Sequence, residues 1–285
     1  TRSPNKTKEK FKKLNIKNSK IIKLNILNKK QILNVIKKNF DYIFFFAGQS
    51  SPNLSFIKSK QTIESNFKGC KNFLEAIKET NLRTKFLNSS SSEIFSDTKN
   101  KLEIKSKKKP ISPYGKAKLL SYDVTKKFRE KYNINTYNAI FFNTESYYRE
   151  KNFLIPKICI AAINAQKFQK ITTFGNLNVI REWNWCDEQC KLLLKFISKK
   201  PQDFILSNGK PFSGYQMIKF AFNYFKLDYR NFIKIDNKHF RKKDFNYKLS
   251  NFKKNVVSQN SNWKPKIFGK KLIYSLIKYY KINKI

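Results

Sequence analysis

Residues 41–48, DYIFFFAG, form an apolar run that ends in two small residues. An unbroken run of this length is typical of a strand buried on both faces of a parallel sheet. Two further segments have strand character: NTYNAIFFN at 135–143, and RTKFLNSSSSEIF at 83–95, which continues into a polar turn. The shorter stretch KIIKLNIL at 20–27 also predicts a strand. The chain therefore carries several strands that need helices to cover them.

Helical patterns separate these strands. KKQILNVIKKN at 29–39 predicts a helix, and TIESNFKGCKNFLEAIKET at 62–80 has its apolar residues on one helical stripe. The longest predicted helix, 112–132, begins at SPYGKAK, where Ser112 suits the N-cap and Pro113 the first turn. Strands that alternate with helices imply a parallel sheet with right-handed crossovers. We therefore predict an α/β fold with a doubly wound parallel sheet.

Basic residues dominate the charge of the chain. Its 285 residues include 61 Lys and Arg against 19 Asp and Glu, for a formal net charge of +42. Such an excess is common in proteins that bind nucleic acids or anionic membranes. Only seven of the 61 are Arg, however, and nucleic-acid readers rely on Arg for bidentate contacts. The lysines are also spread along the chain and accompany many Asn, Ile, Phe and Tyr, so we favour biased genomic composition over nucleic-acid binding.

The cysteines and the single histidine form no recognisable metal-binding pattern. Cys70, Cys159, Cys186 and Cys190 include no CxxC pair, and His239 stands alone. Cys186 and Cys190 lie one helical turn apart, a spacing that we assign to a buried helix face. No apolar run reaches the roughly 18 residues of a membrane span, and no secretory signal is present. We predict a cytoplasmic protein with reduced cysteines, no metal and no membrane contact.

Tyr114 and Lys118, both within SPYGKAK, share one face of the predicted helix. A Lys ammonium beside a phenol favours the phenolate and lowers the pKa of the tyrosine. In a Lys-rich chain this spacing alone is weak evidence, and a surface role is the simpler interpretation. Ser91 and Glu93, however, follow a predicted strand and belong at the carboxyl edge of the sheet, where doubly wound folds bind ligands. Together the four side chains predict an acid–base site around one small molecule.

The order of these segments resembles that in the extended short-chain dehydrogenases/reductases, and more closely that in the GDP-mannose 4,6-dehydratases. Each match is modest, but the matches run in order over nearly the full length of the chain. The matching segments are FDYIFFFAGQSSPNLSF (40–56), FLNSSSSEIF (86–95), SPYGKAK (112–118), FREKYNINTYNAIFFNTESYYRE (128–150), FGNLNVIREWNWC (174–186), HFRKKD (239–244) and SNWKPK (261–266).

The resemblance implies a role for each residue of the acid–base site. Tyr114 would take the proton of the sugar 4-hydroxyl while hydride leaves C4 for NADP. Lys118 would lower the pKa of Tyr114 and hold the nicotinamide ribose. Glu93 would remove the C5 proton and help water leave C6. Ser91, at the family's threonine position, would hydrogen-bond the 4-oxygen.

The resemblance also implies two sets of binding residues. Arg2 would be the remnant of an arginine loop that grips the 2′-phosphate of NADP. The positions that match cofactor-contacting segments are Arg2, Asn25, Ile26, Phe46, Ala47, Gly48, Gln49, Ser50, Lys118, Thr144 and Arg149. The positions that would face the nucleotide sugar are Asn143, Arg181 and Arg241.

The chain departs from the family pattern in several places. The Gly-x-x-Gly-x-x-Gly turn, which places the pyrophosphate at a helix N-terminus, has no counterpart. Asn25 replaces an Asp, Thr144 replaces a His, Tyr148 stands at an Arg position and Asn184 replaces a Gly. We therefore interpret the chain as an N-terminally truncated member, whose Rossmann-like sheet lacks its first strand and Gly-rich turn.

These observations predict a Rossmann-like NADP-binding domain over 1–145 and a smaller, mainly substrate-binding α/β lobe over 146–285. Some segments of the second lobe are expected to return to the first domain. The expected function is dehydration of GDP-mannose to its 4-keto-6-deoxy product with internal recycling of NADP, by a homodimer or homotetramer.

Three alternatives stay open. The first is another nucleotide-sugar dehydratase, epimerase or reductase of the same superfamily. The second is a basic nucleic-acid-binding protein, and the third is an inactive truncated homologue. Glu93 favours dehydration, because epimerases and 4-ketoreductases need no base at C5 placed for elimination at C6.

Overall fold

A computed structural model of the chain describes residues 1–81, 83–95, 100–240 and 243–283. The strands are β1 (Tyr42–Phe45), β2 (Lys85–Ser91), β3 (Thr136–Phe141), β4 (Thr144–Glu145), β5 (Thr172–Phe174), β6 (Ile180–Glu182), β7 (Asn184–Trp185), β8 (Asp203–Leu206), β9 (Pro211–Ser213), β10 (Ile233–Ile235) and β11 (Tyr247–Lys248). The helices are α1 (Pro4–Lys13), α2 (Lys29–Ile36), α3 (Pro52–Ile57), α4 (Ser59–Ile63), α5 (Gly69–Thr80), α6 (Pro113–Tyr132), α7 (Leu154–Phe168), α8 (Cys186–Ile197), α9 (Gly214–Asn223), α10 (Val256–Gln259) and α11 (Gly269–Ile282). A π-helical turn (Glu64–Lys68) joins α4 to α5, and a 3₁₀ turn (Ser92–Ile94) follows β2.

The central sheet has the strand order β1-β2-β3-β8, and all its neighbouring strands are parallel. In register, Phe45 lies opposite Asn88, and Phe141 lies opposite both Ser91 and Leu206. The carboxyl ends of the four strands therefore meet at one edge. The predicted parallel α/β architecture is confirmed.

Helices cover both faces of this sheet because side chains alternate along each strand. Phe86 of β2 packs in a cluster with side chains of α2 and α5, including Ile32 and Leu74. The next residue, Leu87, faces the other way and packs with Leu192 and Phe196 of α8. The sheet is thus doubly wound.

Two strand predictions require correction. The run at 41–48 was expected to be buried on both faces, yet Tyr42 is 45% exposed and Phe44 is 37% exposed. The reason is that β1 pairs only with β2 among the described residues and forms an edge of the sheet. The segment 20–27 is not a strand, because no neighbouring strand pairs with it; Leu24 N–H instead donates to the Thr1 carbonyl.

A buried polar network holds α6 against the sheet. Asn88 Nδ2 donates to Asn138 Oδ1 at 2.9 Å, and Asn138 Nδ2 donates to Asp203 Oδ1 at 3.0 Å. From α6, Tyr122 OH and Arg129 Nη2 donate to the same carboxylate at 2.7 and 2.8 Å. The network thus links α6 to β2, β3 and β8, and loss of one member would leave further buried polar groups without a partner.

A second apolar cluster lies in the C-terminal half of the chain. It is built mainly on α7, α9 and α11, and it includes both Trp183 and Trp185. Short strand groups accompany it: β5 with β10, β4 with β7, and β6 between β9 and β11. Within the same half, β8 returns to the central sheet beside β3. The division between 1–145 and 146–285 stays a prediction.

In the part of the chain that the structure describes, no helix combines the length and apolar character needed to cross a bilayer. The same part contains no group of three or more His, Cys, Asp or Glu side chains arranged to hold a metal ion.

Candidate active site

A cavity of about 360 Å³ opens at the carboxyl edge of the central sheet. Side chains from three regions line it: the loops after β1 and β2, the start of α6, and the stretch from the end of β3 through α8. The lining residues among the predicted site positions are Phe46, Gly48, Gln49, Ser50, Ser91, Glu93, Tyr114, Lys118, Asn143, Thr144, Arg149 and Arg181. The cavity therefore brings together residues that are widely separated in sequence.

Ser91, Glu93 and Tyr114 lie on one wall of this cavity. Ser91 is the last residue of β2, and its hydroxyl accepts a hydrogen bond from Glu93 N–H at 3.2 Å. The Ser91 side chain also acts to lower the pKa of Tyr114, which lies in the first turn of α6. Glu93 follows directly in the 3₁₀ turn. The predicted hydroxyl, carboxylate and phenol are thus assembled at the end of β2.

The start of α6 has the local structure that its sequence predicts. The Ser112 hydroxyl caps the helix by accepting from Gly115 N–H at 3.0 Å, and Pro113 occupies the first turn. Gly115 permits a close approach between α6 and the Glu93 turn. A Cβ atom at this position would lie 2.5 Å from the Glu93 carbonyl oxygen. The missing side chain therefore sets the distance between Tyr114 and Glu93.

The pKa of Tyr114 differs from the sequence-based expectation. It is raised to about 12, chiefly by burial; the charge of Glu93 acts in the same direction, while Ser91 and Arg149 act in the opposite direction. The Lys118 Nζ lies over the Tyr114 ring, 5.9 Å from its centroid, and donates to the carbonyl of Ser89 at 2.7 Å and to the Ser89 hydroxyl at 3.3 Å. Burial also lowers the pKa of Lys118 to about 8. The expectation that Lys118 lowers the pKa of Tyr114 is therefore wrong, because the pKa is raised and Lys118 is not among the groups that shift it.

The predicted cofactor residues separate into two groups. Phe46, Gly48, Gln49, Ser50, Lys118, Thr144 and Arg149 line the cavity. Arg2, Asn25, Ile26 and Ala47 do not line it. Arg2 is exposed. The Asn25 side chain accepts from Leu27 N–H, and the Ile26 carbonyl accepts from Asn72 Nδ2 of α5. The cofactor roles of these residues stay predictions.

Gly48 shapes the loop after β1. Its φ is +138°, a conformation that L side chains rarely adopt, and a Cβ atom would lie 2.6 Å from Asn66 Oδ1. Asn66 Nδ2 in turn donates to the carbonyls of Gln49 and Thr62 at 3.0 and 2.9 Å. The loop therefore has no room for a side chain at residue 48, and its backbone conformation there favours glycine.

Thr144, Glu145 and Arg149 form a second wall of the cavity. The Thr144 hydroxyl donates to Gln189 Oε1 of α8 at 2.6 Å. Glu145 is only 2% exposed, and its Oε2 lies 3.8 Å from Arg149 Nε, too far for a hydrogen bond. Burial raises the pKa of Glu145 to about 7, although Arg149 acts to lower it. Sequence reasoning missed Glu145, because nothing in its spacing indicates that a carboxylate will be buried.

The predicted sugar-binding residues have different surroundings. Asn143 lies on the cavity wall, directly after β3. Arg181 also lines the cavity but is 3% exposed, with its guanidinium donating to Asp244 Oδ1 at 2.9 Å and to the carbonyl of Asn246 at 3.1 Å. Arg241 lies outside the described residues. Substrate contacts by these three residues stay predictions.

The assignment of Cys186 and Cys190 to a buried helix face is wrong. Cys190 is exposed, Cys186 is half-buried, and both line the cavity. Their spacing of one helical turn correctly indicated that the thiols are neighbours, and the sulfur atoms are 4.0 Å apart. Only the packing of α8 against the sheet decides which of its faces is open.

Comparison with known proteins identifies the family. Residues 2–276 match the family model for GDP-mannose 4,6 dehydratase. GDP-mannose 4,6 dehydratase 1 of Arabidopsis thaliana is 26% identical over 251 residues, which cover 86% of this chain and 68% of that protein. The human GDP-mannose 4,6 dehydratase is 26% identical over 272 residues, covering 87% of this chain and 71% of its own. A GDP-mannose 4,6-dehydratase of Vibrio cholerae is 32% identical over 181 residues, or 61% of this chain and 48% of the relative.

Solved structures agree on the fold. A dTDP-glucose 4,6-dehydratase double mutant from Streptomyces venezuelae superimposes with a TM-score of 0.84 at 14% identity, covering 97% of this chain and 84% of its own. RMD from Pseudomonas aeruginosa gives 0.82 at 15% identity, with 96% and 95% covered. Both likenesses show a Rossmann-like fold and no more. Because the family model matches nearly the whole length, the chain belongs to the GDP-mannose 4,6 dehydratase family of enzymes.

Proposed function

We propose that this protein dehydrates GDP-mannose to GDP-4-keto-6-deoxy-mannose, with NADP as an internally recycled cofactor. The observation that carries this proposal is the shared cavity wall of Ser91, Glu93 and Tyr114 in a member of this family. Simple oxidation at C4 requires only a proton acceptor and a hydride acceptor. A carboxylate beside the tyrosine is what elimination across C5–C6 requires in addition.

The cavity fits a nicotinamide cofactor in part. Gly48 gives the loop after β1 its positive φ, and Gln49 and Ser50 offer polar groups beside it. Lys118 and Arg149, which both line the cavity, provide positive charge. These residues would hold the cofactor, which when bound would accept a hydride from the sugar and later return it. Among the structures of related fold, RMD is complexed with NADPH and a dTDP-glucose 4,6-dehydratase has NAD bound. We propose NADP for this protein.

Each residue of the first wall has a defined task. Tyr114 accepts the proton of the sugar 4-hydroxyl, and Ser91 holds the same oxygen through its hydroxyl. Glu93 then takes the C5 proton, which the neighbouring 4-ketone makes acidic. Having gained a proton, the Glu93 carboxyl group donates it to the departing 6-hydroxyl, which leaves as water. One carboxyl group placed over the C5–C6 bond serves both steps.

The substitution Glu93→Gln tests this division of labour. In the presence of GDP-mannose and NADP the variant should still form reduced nicotinamide, because the first step needs no carboxylate. Product formation should fall by about 10² to 10⁴, and exchange of solvent deuterium into C5 should stop. Absorbance of the reduced nicotinamide and mass spectrometry of the sugar nucleotide measure both effects.

The matched control is Glu130→Gln, which removes an exposed carboxylate from α6. It should leave turnover and exchange at the wild-type level. Deuterium entering C5 at the wild-type rate in Glu93→Gln would show that another group is the base. Turnover of a different nucleotide sugar but not of GDP-mannose would favour another enzyme of the superfamily, and tight, steeply salt-dependent binding of DNA would favour a nucleic-acid-binding protein.

We further propose that the enzyme is cytoplasmic and assembles as a homodimer or homotetramer, as the family resemblance implies. Light scattering on the purified chain measures the assembly directly, and a monomeric mass would contradict it.

A further inference from the structure

Two of the four cysteines form a pair in the cavity wall. Cys186 is the first residue of α8, and Cys190 lies one turn later on the same face. Their sulfur atoms are 4.0 Å apart and share a hydrogen bond. The other two cysteines, Cys70 and Cys159, are fully buried in apolar clusters. The chain thus contains one accessible thiol pair and two inaccessible thiols that serve as internal references.

The surroundings of the pair favour a reactive thiolate. Thiolates rather than thiols react with oxidants and alkylating agents, and accessible cysteines of lowered pKa react first. The pKa of Cys190 is lowered to about 7, chiefly by its hydrogen bond with the Cys186 thiol, although burial and the nearby Asp187 act against this. The same contact, together with burial, raises the pKa of Cys186, which therefore keeps its proton. Burial raises the pKa of Cys70 to about 12.

We propose that Cys190 and Cys186 are a reversible oxidation site, in which Cys190 reacts with a peroxide and Cys186 closes a disulfide across the first turn of α8. In the first step the Cys190 thiolate attacks hydrogen peroxide, forms a sulfenic acid and releases hydroxide. In the second step the Cys186 sulfur displaces the sulfenic oxygen, which leaves as water with the thiol proton. The peroxide is reduced by two electrons, and the two thiols are oxidised to the disulfide. A low-molecular-weight dithiol reverses the reaction by exchange.

Disulfide closure must distort the helix. Cβ atoms one turn apart in an α-helix are about 5 to 6 Å apart, whereas a disulfide requires about 3.5 to 4.5 Å. The first turn of α8 therefore has to tighten or unwind. Gln189 lies within this turn, and its side chain accepts from the Thr144 hydroxyl at 2.6 Å and donates to the Leu206 carbonyl at 3.2 Å. Oxidation should break this link and shift the cavity wall at Thr144.

Peptide mapping tests the chemistry, and the sequence makes it simple. Trypsin places Cys186 and Cys190 on one peptide, residues 182–191, and places the two reference cysteines on separate peptides, 69–71 and 158–167. After treatment with a slight excess of hydrogen peroxide, the peptide 182–191 should lose two hydrogen atoms, and a dithiol should restore them. The two reference peptides should stay unchanged.

Two variants separate the steps. Cys186→Ser should accumulate a sulfenic acid on Cys190 that a cyclic diketone traps, while Cys190→Ser should show no rapid oxidation. With iodoacetamide at neutral pH, Cys190 should react at least about tenfold faster than the buried references. Equal alkylation of all four cysteines, or a wild-type peptide 182–191 that gains oxygen without forming the disulfide, would overturn the proposal.

The effect on the cavity is measured with NADPH as the probe, by its fluorescence on titration with oxidised and reduced protein. Loss of the Thr144–Gln189 link should weaken binding by about three- to tenfold, and reduction should restore it. Equal affinity of the two forms would contradict the claim that the disulfide reaches the cavity wall. The effect on NADPH affinity rests on the proposed function, whereas the disulfide is detected by peptide mass alone. A disulfide in a protein that does not bind NADPH would therefore contradict the proposed function and not the oxidation site.

Discussion

The two walls of the cavity hold their buried charges in different ways. On the wall formed by β2 and α6, Lys118 donates a short hydrogen bond to the Ser89 carbonyl. On the wall formed by Thr144–Arg149 and the start of α8, Glu145 meets Arg149 only at 3.8 Å. The first wall is thus held by regular backbone structure, and the second contains a buried carboxylate that titrates close to neutral pH. The residues proposed for catalysis and the buried carboxylate whose charge changes near neutral pH therefore lie on different walls of one cavity.

The largest expected effect concerns the first wall. Tyr114→Phe keeps the ring and removes the hydroxyl that accepts the proton, so turnover should fall by about 10² to 10⁴. Because the ring remains, binding of GDP-mannose should stay close to that of the wild type. Initial rates and isothermal titration calorimetry measure the two quantities.

The control for this experiment is Tyr132→Phe, at the far end of the same helix. Since the pKa of Tyr114 is about 12, wild-type turnover should also rise as the pH is increased above neutral. If Tyr114→Phe turns over at the wild-type rate, Tyr114 is not the proton acceptor, and its spacing to Lys118 has no catalytic meaning.

The second effect concerns Glu145 on the second wall, whose raised pKa makes stability depend on pH in one direction. The pKa of Glu145 rises from 4.5 to about 7 on folding, so the folded state holds a proton that the unfolded state releases between these values. Below pH 4.5 the ionisation of Glu145 therefore does not change the free energy of unfolding. As the pH rises from there to about 7, it lowers the stability of the protein increasingly. The glutamine in Glu145→Gln cannot ionise, so the variant should not lose this stability. At about 1.36 kcal/mol per pKa unit, it should be more stable than the wild type by roughly 3 kcal/mol above pH 7.

Urea unfolding at about pH 5 and about pH 8 measures the difference, which should be large only at the higher pH. The matched control is Glu150→Gln, which removes an exposed carboxylate from the segment that follows β4. A Glu145→Gln variant that loses stability at the higher pH would mean that the Arg149 contact outweighs the cost of burial.

The smallest effect concerns the joint between β2 and α6. In Gly115→Ala the added methyl group meets the Glu93 carbonyl oxygen at 2.5 Å, so the backbone must shift. Overpacking of this kind costs about 1 to 3 kcal/mol, partly offset by the roughly 1 kcal/mol by which Ala favours a helix over Gly. Stability should fall by about 1 kcal/mol and turnover should fall with it, because Glu93 is displaced.

Lys116→Ala, at the next position on the exposed side of α6, provides the reference. It should change stability by less than about 0.5 kcal/mol. If Gly115→Ala is more stable than the wild type and equally active, the close approach of α6 to the Glu93 turn has no role in positioning the site.

The sequence by itself determined the elements whose signals are local. The alternation of strands and helices predicted the parallel sheet, and the Ser-Pro start of α6 predicted the cap that the structure contains. Ser91 and Glu93 follow a strand, and strand ends in a parallel sheet meet at one edge, so their meeting with Tyr114 was predictable as well. Periodicity, capping and strand order depend only on near neighbours and on general rules of topology.

Only the tertiary structure decided which residues are buried and which are open. It placed β1 at an edge although its residues are apolar, left 20–27 without a partner strand, and turned Cys190 toward the cavity. It also set the pKa of Tyr114 and Glu145, because both depend on desolvation by residues far away in sequence. Burial is a property of the assembled packing and not of the local pattern, and pKa values follow burial.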